Sequence, residues 1–383
     1  MKELPAVSVI IPMFNAEKYV GECLDSVLNQ TFQNFEVIVV DDCSTDSSVD
    51  VVKSYAPKFN GRLQLVHMNK NSGGAGFPRN KGINLARGEY FLSIDADDVI
   101  SPTALEELYS IAKEFDADVV ACEKYYNVPA GHWYDENFIK DLMAYSYQNA
   151  NLVDKPTFLT DDLSERVQRF SRSGFLWNVW SKLIRRDFIF ENEFTFANTI
   201  IEDMIFTGCL VFTAKRFVLV PNVINFYREI DGSVSRTKER GFPFFRRYVK
   251  ALTSSFAYFN EFLSGREFFR QHPDMKYLAL KKVWDEVTNY FILMYDQFPP
   301  YEFDEILREE LSCGDNLALS AFACNMTNAY RLYSVQLQED IAKLEKSERE
   351  NKAYIAELEK FAVQSQRRVA ELEAELNRLK GKE

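Results

Sequence analysis

Residues Gly88–Pro102 read GEYFLSIDADDVISP. Tyr90-Phe91-Leu92-Ser93-Ile94 is a short apolar run of the kind that forms a buried strand, and it stops at three carboxylates, Asp95, Asp97 and Asp98. Ser101-Pro102-Thr103 then opens a helical pattern through Ala104, Leu105 and Leu108. Open α/β sheets bind ligands outside the carboxyl ends of their strands, where these aspartates would emerge. Alternate residues of an extended segment share a face, so the spacing predicts that Asp95 and Asp97 point the same way. Two convergent carboxylates repel unless a cation lies between them, and hard oxygen ligands suit Mg²⁺ or Mn²⁺. On these residues alone a second reading stays open, a solvated Asp-rich turn that caps a helix.

Upstream, the same alternation repeats. Val7-Ser8-Val9-Ile10-Ile11 is a β-branched run that Pro12 is expected to stop. Asn15-Ala16-Glu17 is expected to start a helix that carries Val20, Leu24, Val27 and Leu28 at helical spacing. Phe35–Val40 reads as a second buried strand ending in Asp41-Asp42, and Thr45-Asp46-Ser47-Ser48 as the cap of a helix bearing Val49, Val51 and Val52. Leu63–His67 is a predicted third strand. The Gly-rich loop Asn71-Ser72-Gly73-Gly74-Ala75-Gly76 follows it and leads into a helix through Gly82-Ile83-Asn84-Leu85-Ala86. Strands alternating with helices imply an α/β fold with a mostly parallel sheet. The loop lacks both the spacing of a dinucleotide fingerprint and the GK[ST] of a phosphate loop, so its glycines are read as allowing close backbone approach to a ligand or strand. Arg79 comes next, either as a fork onto a phosphate or as a surface or capping residue.

Composition narrows the classes. A chain of 383 residues with 46 % hydrophobic content, 15 Gly and 12 Pro suits a folded protein of more than one domain. The net charge of −12 argues against a nucleic-acid partner. Cys23, Cys43, Cys122, Cys209, Cys313 and Cys324 form no CxxC pair and have no His at metal spacing, which suits thiols in a reducing compartment. The start, MKELPAVSVIIP, fits a strand better than a signal sequence, and no apolar run is of membrane-spanning length. The expected location is the cytoplasm, free or on the cytoplasmic face of the cell membrane.

VSVIIPMFNAEKYVGECLDSVLNQTFQNFEVIVVDDCSTDSS, the PRNKGI that ends the Gly-rich stretch, and ARGEYFLSIDADD together resemble the family 2 inverting glycosyltransferases. The resemblance implies a GT-A fold, which is Rossmann-like, and a nucleotide-sugar donor, usually a UDP-sugar. It also implies direct displacement with inversion, helped by Mn²⁺ or Mg²⁺. Carried over residue by residue, Pro12, Asn15 and Glu17 lie in the block that borders the nucleotide. Asp42, with Asp41 beside it, matches the acid that pairs with uracil, and Arg79 matches a basic residue that contacts base or phosphate. Asp95 and Asp97 match the DxD, with Asp97 as the metal ligand and Asp95 facing the ribose, while Asp98 is expected to brace the loop. Cys43 departs from the pattern, because it stands where glycine is commoner.

Further along, Glu202-Asp203 is in isolation only an acidic helix start, favourable against the helix dipole. Within the family such a pair holds the catalytic base, so Asp203 is expected to be the base and Glu202 a supporting or acceptor-binding residue. Inversion in one step needs that base opposite the leaving group, and a partly buried site would raise its pKa modestly. Trp177, Trp180 and Lys182 have family counterparts near the acceptor, and the two indoles are read equally as sugar-stacking surfaces or as core. Phe226-Tyr227-Arg228 with Gly232-Ser233-Val234-Ser235 resembles the family's end piece, a candidate lid over the diphosphate. Arg236–Lys250 mixes cations with Phe242, Phe244 and Phe245, and reads as a membrane-surface contact or as a junction between domains.

The expected organisation is a glycosyltransferase domain at 1–235 (nucleotide-sugar half 1–122, acceptor half 123–235), a helical extension at 236–333 and a coiled coil at 334–383. In the last segment Leu337, Leu344, Asn351, Leu358, Ser365, Leu372 and Leu379 recur in heptads, beside a seam of Ile341, Glu348, Ile355, Ala362, Val369 and Leu376. So narrow a seam calls for a partner helix, hence a homo-oligomer, or recruitment of another enzyme. The expected function is sugar transfer to a glycan or lipid-linked glycan of a cell-surface polymer such as a capsule. The competing reading is an inactive, carbohydrate-binding scaffold oligomerised by its coiled coil. A nucleotidyltransferase would need a Gly-rich phosphate loop near the N-terminus, which is missing.

Overall fold

The computed structural model describes residues 4–129, 144–146, 153–197, 201–230 and 254–295, together with Lys343 and Lys346. Strands β1 (Val7–Met13) and β2 (Phe35–Asp41) are buried at every position, as continuous apolar strands covered on both faces must be. β3 (Leu63–His67) and β4 (Tyr90–Ser93) complete a parallel block with them. Beyond β4 come β6 (Val119–Cys122), β9 (Thr157–Phe158), β10 (Lys182–Arg185) and β11 (Phe217–Val220), and the order across the sheet is β3-β2-β1-β4-β10-β6-β11-β9. β10 runs antiparallel between β4 and β6, and parallel pairing resumes from β6 to β11. A smaller sheet has the order β5-β12-β7-β8, from β5 (Val99–Ile100), β7 (Lys124–Pro129), β8 (Ala144–Ser146) and β12 (Asn225–Glu229).

Helices cover both faces of the main sheet. Val7, Val9, Ile11 and Met13 of β1 share a core with Val20, Leu24 and Val27 of α1 (Val20–Leu28), Val52 of α2 (Ser48–Tyr55) and Leu105 and Leu108 of α4 (Ala104–Glu114). The intervening Ile10 meets α3 (Gly76–Leu85) on the other face, where a Cβ on Gly82 would lie 2.4 Å from Ile10 Cγ2. The mostly parallel α/β sheet inferred from the alternation is therefore present.

Three local expectations are corrected. Pro12 does not stop β1, which runs on to Met13. The last β1–β4 pair is Ile10↔Ser93, so Pro12 faces a side from which the partner strand has departed and its missing N–H costs nothing. The first helix begins at Val20 rather than near Asn15, whose φ of +49° is left-handed. The Asp95–Asp98 segment is a tight turn closed by Asp98 N donating to Asp95 O at 3.1 Å, not an extended run with alternating faces.

The helix Glu202–Thr213 is buried from Met204 through Phe212, and so needs apolar cover all round. Phe170 and Phe259 both pack against Phe212, from the helix Leu163–Ser171 and a helix at 254–264 respectively. Phe269 of the short helix Glu267–Gln271 adds an edge contact at 5.4 Å. The heptads of 334–383, the end piece after residue 230 and the Arg236–Lys250 segment lie outside the described residues, apart from Lys343 and Lys346.

Candidate active site

Arg79 enters the site from the first turn of α3. Its guanidinium is only 3 % exposed and binds three carboxylates. Nη2 donates to Asp95 Oδ1 at 2.7 Å, while Nη1 donates to Asp203 Oδ1 at 2.7 Å and to Glu202 Oε1 at 3.2 Å. The start of α3 comes close enough for this because it begins at Gly76, where a Cβ would sit 2.9 Å from the carbonyl oxygen of Ala197. Burial opposes the charge on Arg79, but Asp203, Asp95 and Glu202 together more than offset it and raise its pKa. The carboxylates respond in kind. Glu202 is pushed up to about 8, by burial first and then by Asp203. Burial also raises the pKa of Asp203, with Arg79 opposing and Asp95 adding. One guanidinium is thus shared among three carboxylates that each keep some exposure.

Asp203 is held at both oxygens, since Oδ2 accepts from Val179 N at 3.2 Å. Its side chain keeps 22 % exposure, which leaves a way in for an incoming hydroxyl. Glu202 and Asp203 occupy the first helical turn, as expected from the sequence.

The aspartate turn is braced from the second sheet. Asp98 accepts from Arg228 N and Asn225 Nδ2, both at 3.0 Å, so it is the bracing residue and not a free ligand. Arg228 Nε donates to Asp97 O at 3.0 Å, its Nη2 reaches Glu22 on α1, and its guanidinium lies 5.0 Å from the Tyr19 ring centroid. Asp97 is pushed up to about 6 by burial and by Asp95. A hard divalent ion fits this donor set: the ligands are oxygens, and Mg²⁺ typically takes one or two carboxylates and completes its shell from substrate phosphates and water. Among the described residues there is no group of three His, Cys, Asp or Glu side chains that could hold a metal.

Asp42, Asn15 and Glu17 tie the neighbouring loops together. Asp42 accepts from Ser72 N at 2.9 and 3.0 Å and from Ser72 Oγ at 2.8 Å, which anchors the Gly-rich loop to the end of β2. Asn15 Oδ1 accepts from Thr45 N at 2.8 Å, and Glu17 Oε2 from Ser47 N at 3.0 Å. Pro12 is buried within β1. Cys43 has φ +66°, a left-handed position, which gives the physical reason a glycine suits it better.

The residues of the Trp-Ser-Lys-Leu block turn inward. Trp177 is 9 % exposed and set edge-on to Phe170 at 4.9 Å; Trp180 is 2 % exposed, edge-on to Tyr125 and stacked on Tyr227. Both indoles are buried: Phe170 and the Lys282 ammonium lie against Trp177, and Tyr125 and Tyr227 against Trp180. Lys182 is 1 % exposed and points into its own preceding loop. Sequence reasoning took Arg228 for part of a lid and missed its grip on the aspartate turn. The one available signal was an Arg beside Phe226 and Tyr227 in a short strand.

The profile of glycosyl transferase family 2 matches residues 8–171. Among curated relatives, the chain is 33 % identical over 242 residues to the glycosyltransferase GlyG of Streptococcus pneumoniae, covering 62 % of this chain and 75 % of GlyG. It is 44 % identical over 115 residues to a poly(ribitol-phosphate) beta-glucosyltransferase of Bacillus spizizenii, which covers 30 % of this chain but only 18 % of that enzyme. Among solved structures, S. aureus TarS 1–349 in complex with UDP-GlcNAc superposes with a TM-score of 0.62 at 22 % identity, covering 86 % of this chain and 91 % of TarS 1–349, a likeness of fold. Family profile, relatives and fold agree, and the chain belongs to the family 2 glycosyltransferases.

Proposed function

We propose that this enzyme moves a sugar from a nucleotide-sugar, a UDP-sugar in the first instance, to a hydroxyl of a glycan or lipid-linked glycan, with inversion at the anomeric carbon. The observation that carries the reading is the convergence of Asp95, Glu202 and Asp203 on Arg79, which joins donor-side and acceptor-side carboxylates through one guanidinium. In this reading Asp203 takes the proton of the acceptor hydroxyl as that oxygen attacks the anomeric carbon. The sugar–phosphate bond breaks on the opposite face, and its electron pair leaves with the nucleoside diphosphate. Raised proton affinity makes Asp203 a better base than an exposed aspartate, and its two fixed oxygens hold the lone pair in one direction. Asp42 and the loops braced by Asn15 and Glu17 border the nucleotide, and Asp95 faces the ribose. Asp97 would hold Mn²⁺ or Mg²⁺, which when bound neutralises charge developing on the leaving diphosphate.

The scaffold alternative gives no reason to gather three carboxylates around one buried arginine. Among the described residues no helix is long and apolar enough to cross a membrane, which is compatible with work in the cytoplasm or on its membrane face. The 334–383 heptads serve, on this reading, to assemble copies of the chain.

The test is thermal shift and UDP release with a panel of UDP-, GDP-, dTDP- and CMP-sugars, starting from UDP-GlcNAc, with and without Mn²⁺. Metal-dependent stabilisation by a UDP-sugar, lost in Asp97→Ala, is expected. Indifference to every nucleotide and to metal would overturn the proposal.

A further inference from the structure

A buried cation that touches no carboxylate among the described residues lies behind the segment that holds Asp203. Lys182 opens β10, next to Leu183, which pairs with Leu92 and Val120 in the middle of the sheet. Its Nζ donates to Leu176 O at 2.6 Å, Asn178 O at 2.9 Å and Ser181 Oγ at 3.1 Å, which uses all three of its protons. The nearby carboxylate of Glu123 is paired instead with Arg169 Nη2 at 3.2 Å. A buried ammonium bonded to neutral oxygens carries a desolvation penalty that a methionine of similar length would avoid. The lysine therefore contributes something other than filling.

What it contributes is visible in the segment it gathers. Ser181 Oγ also donates to Asn178 O at 2.8 Å, so residues 176–181 wrap around the ammonium. The same segment is tied to the base helix at two points: Thr207 Oγ1 donates to Trp177 O at 2.8 Å, and Val179 N donates to Asp203 Oδ2 at 3.2 Å. Lys182 holds the segment to the sheet, and the segment holds one oxygen of Asp203.

We propose that Lys182 is a positioning residue for the base: it fixes the 176–181 segment to β10 and thereby fixes the Val179 amide that orients Asp203. This rests on the assignment of Asp203 in the proposed function. Without the ammonium, the segment loses its hydrogen bonds to β10 and keeps those to the base helix together with the ring contacts of Trp177 and Trp180, so the carboxylate loses the polar part of an orientation referred to the sheet. A misplacement of about 1 Å at a reacting group can cost about 100-fold in rate.

The experiment compares wild type with Lys182→Met in two ways. Hydrogen exchange is measured across residues 176–181 and across β1 and β2, and kcat and KM are measured for UDP release from UDP-GlcNAc with Mn²⁺. The expected result is loss of amide protection confined to 176–181, together with a kcat lower by about 100-fold and a donor KM within about 2-fold of wild type. Unchanged protection and unchanged kcat would overturn the proposal. So would a joint loss of melting temperature, donor affinity and kcat, since that is what a merely structural lysine would give. If Lys182→Met does not fold, Ser181→Ala removes one of the three acceptors and is expected to show the same pattern more weakly; wild-type protection and kcat in that variant would overturn the proposal. Absence of UDP release by the wild type would count against the donor assignment, and the exchange comparison alone would then support or overturn the role of Lys182.

Discussion

Asp203 is where one atom separates chemistry from architecture. Asp203→Asn preserves the side-chain shape but removes the proton-accepting charge, so turnover should fall by about 10²–10⁴-fold while UDP affinity measured by calorimetry stays close to wild type. The pH dependence has a definite sign. The base works ionised, and burial raises its pKa despite Arg79, with Asp95 adding to the rise and Glu202 and Lys182 also facing it. Activity should therefore fall toward acid pH, with the limb of the kcat/KM profile above the ordinary aspartate value of about 3.9; a limb at or below that value would show Asp203 is not the group titrating. Cys43 offers a stability test. Its φ of +66° strains a residue with a Cβ, and its Sγ contributes only a weak bond to Met68 O at 3.2 Å. Cys43→Gly should raise stability by about 1 kcal/mol, read from the urea midpoint. The sequence showed that Cys43 was unusual, but the reason needed its backbone angle.

Elements were legible where the apolar pattern was local and illegible where a distant partner decided it. β1, β2, β3 and β4 announce themselves as β-branched or aromatic runs, and Glu202–Thr213 as an apolar helix behind two acids. β10 does not, because its first residue is a lysine whose charge is accommodated by a loop and not by the sheet. Val99–Ile100 is too short to signal a strand, and exists because Asn225 and Phe226 pair with it. The indoles of Trp177 and Trp180 likewise needed their neighbours to be assigned to the core. The same dependence on contact makes Gly82 testable. A Cβ there would press on Ile10 Cγ2 at 2.4 Å and force α3, with Arg79 on it, away from β1. Gly82→Ala should destabilise by about 1–3 kcal/mol in urea and also weaken activity, because the arginine moves with its helix. An unaltered urea midpoint would mean that α3 can shift freely on the sheet.

At the scale of the molecule, the two halves of the sequence are not two halves of the structure. β6 pairs with β10 and β11, both of which come from the chain after residue 153, while β4 pairs with β10 on its outer side. The later segment, which also carries Glu202 and Asp203, thus inserts a strand between β4 and β6. The site is knitted in the same way: Arg79 and Asp95 come from the first half, Glu202 and Asp203 from the second, and Asp98 is satisfied by Asn225 and Arg228. A chain ending at residue 122 keeps every residue matched to the nucleotide yet loses both neighbours of β6. It also leaves Asp98 buried without its partners and exposes the edge of β4, and a buried group stripped of its hydrogen bonds costs about 1–3 kcal/mol. Such a fragment should show no cooperative thermal transition by circular dichroism and no UDP binding by calorimetry. A cooperative melt with UDP bound would mean instead that the donor half folds by itself and that the base helix was added to a site already complete. Failure to fold is the expected outcome because the outer edge of β4 and both edges of β6 are paired by strands from the later chain, although β1–β4 keep their own pairing.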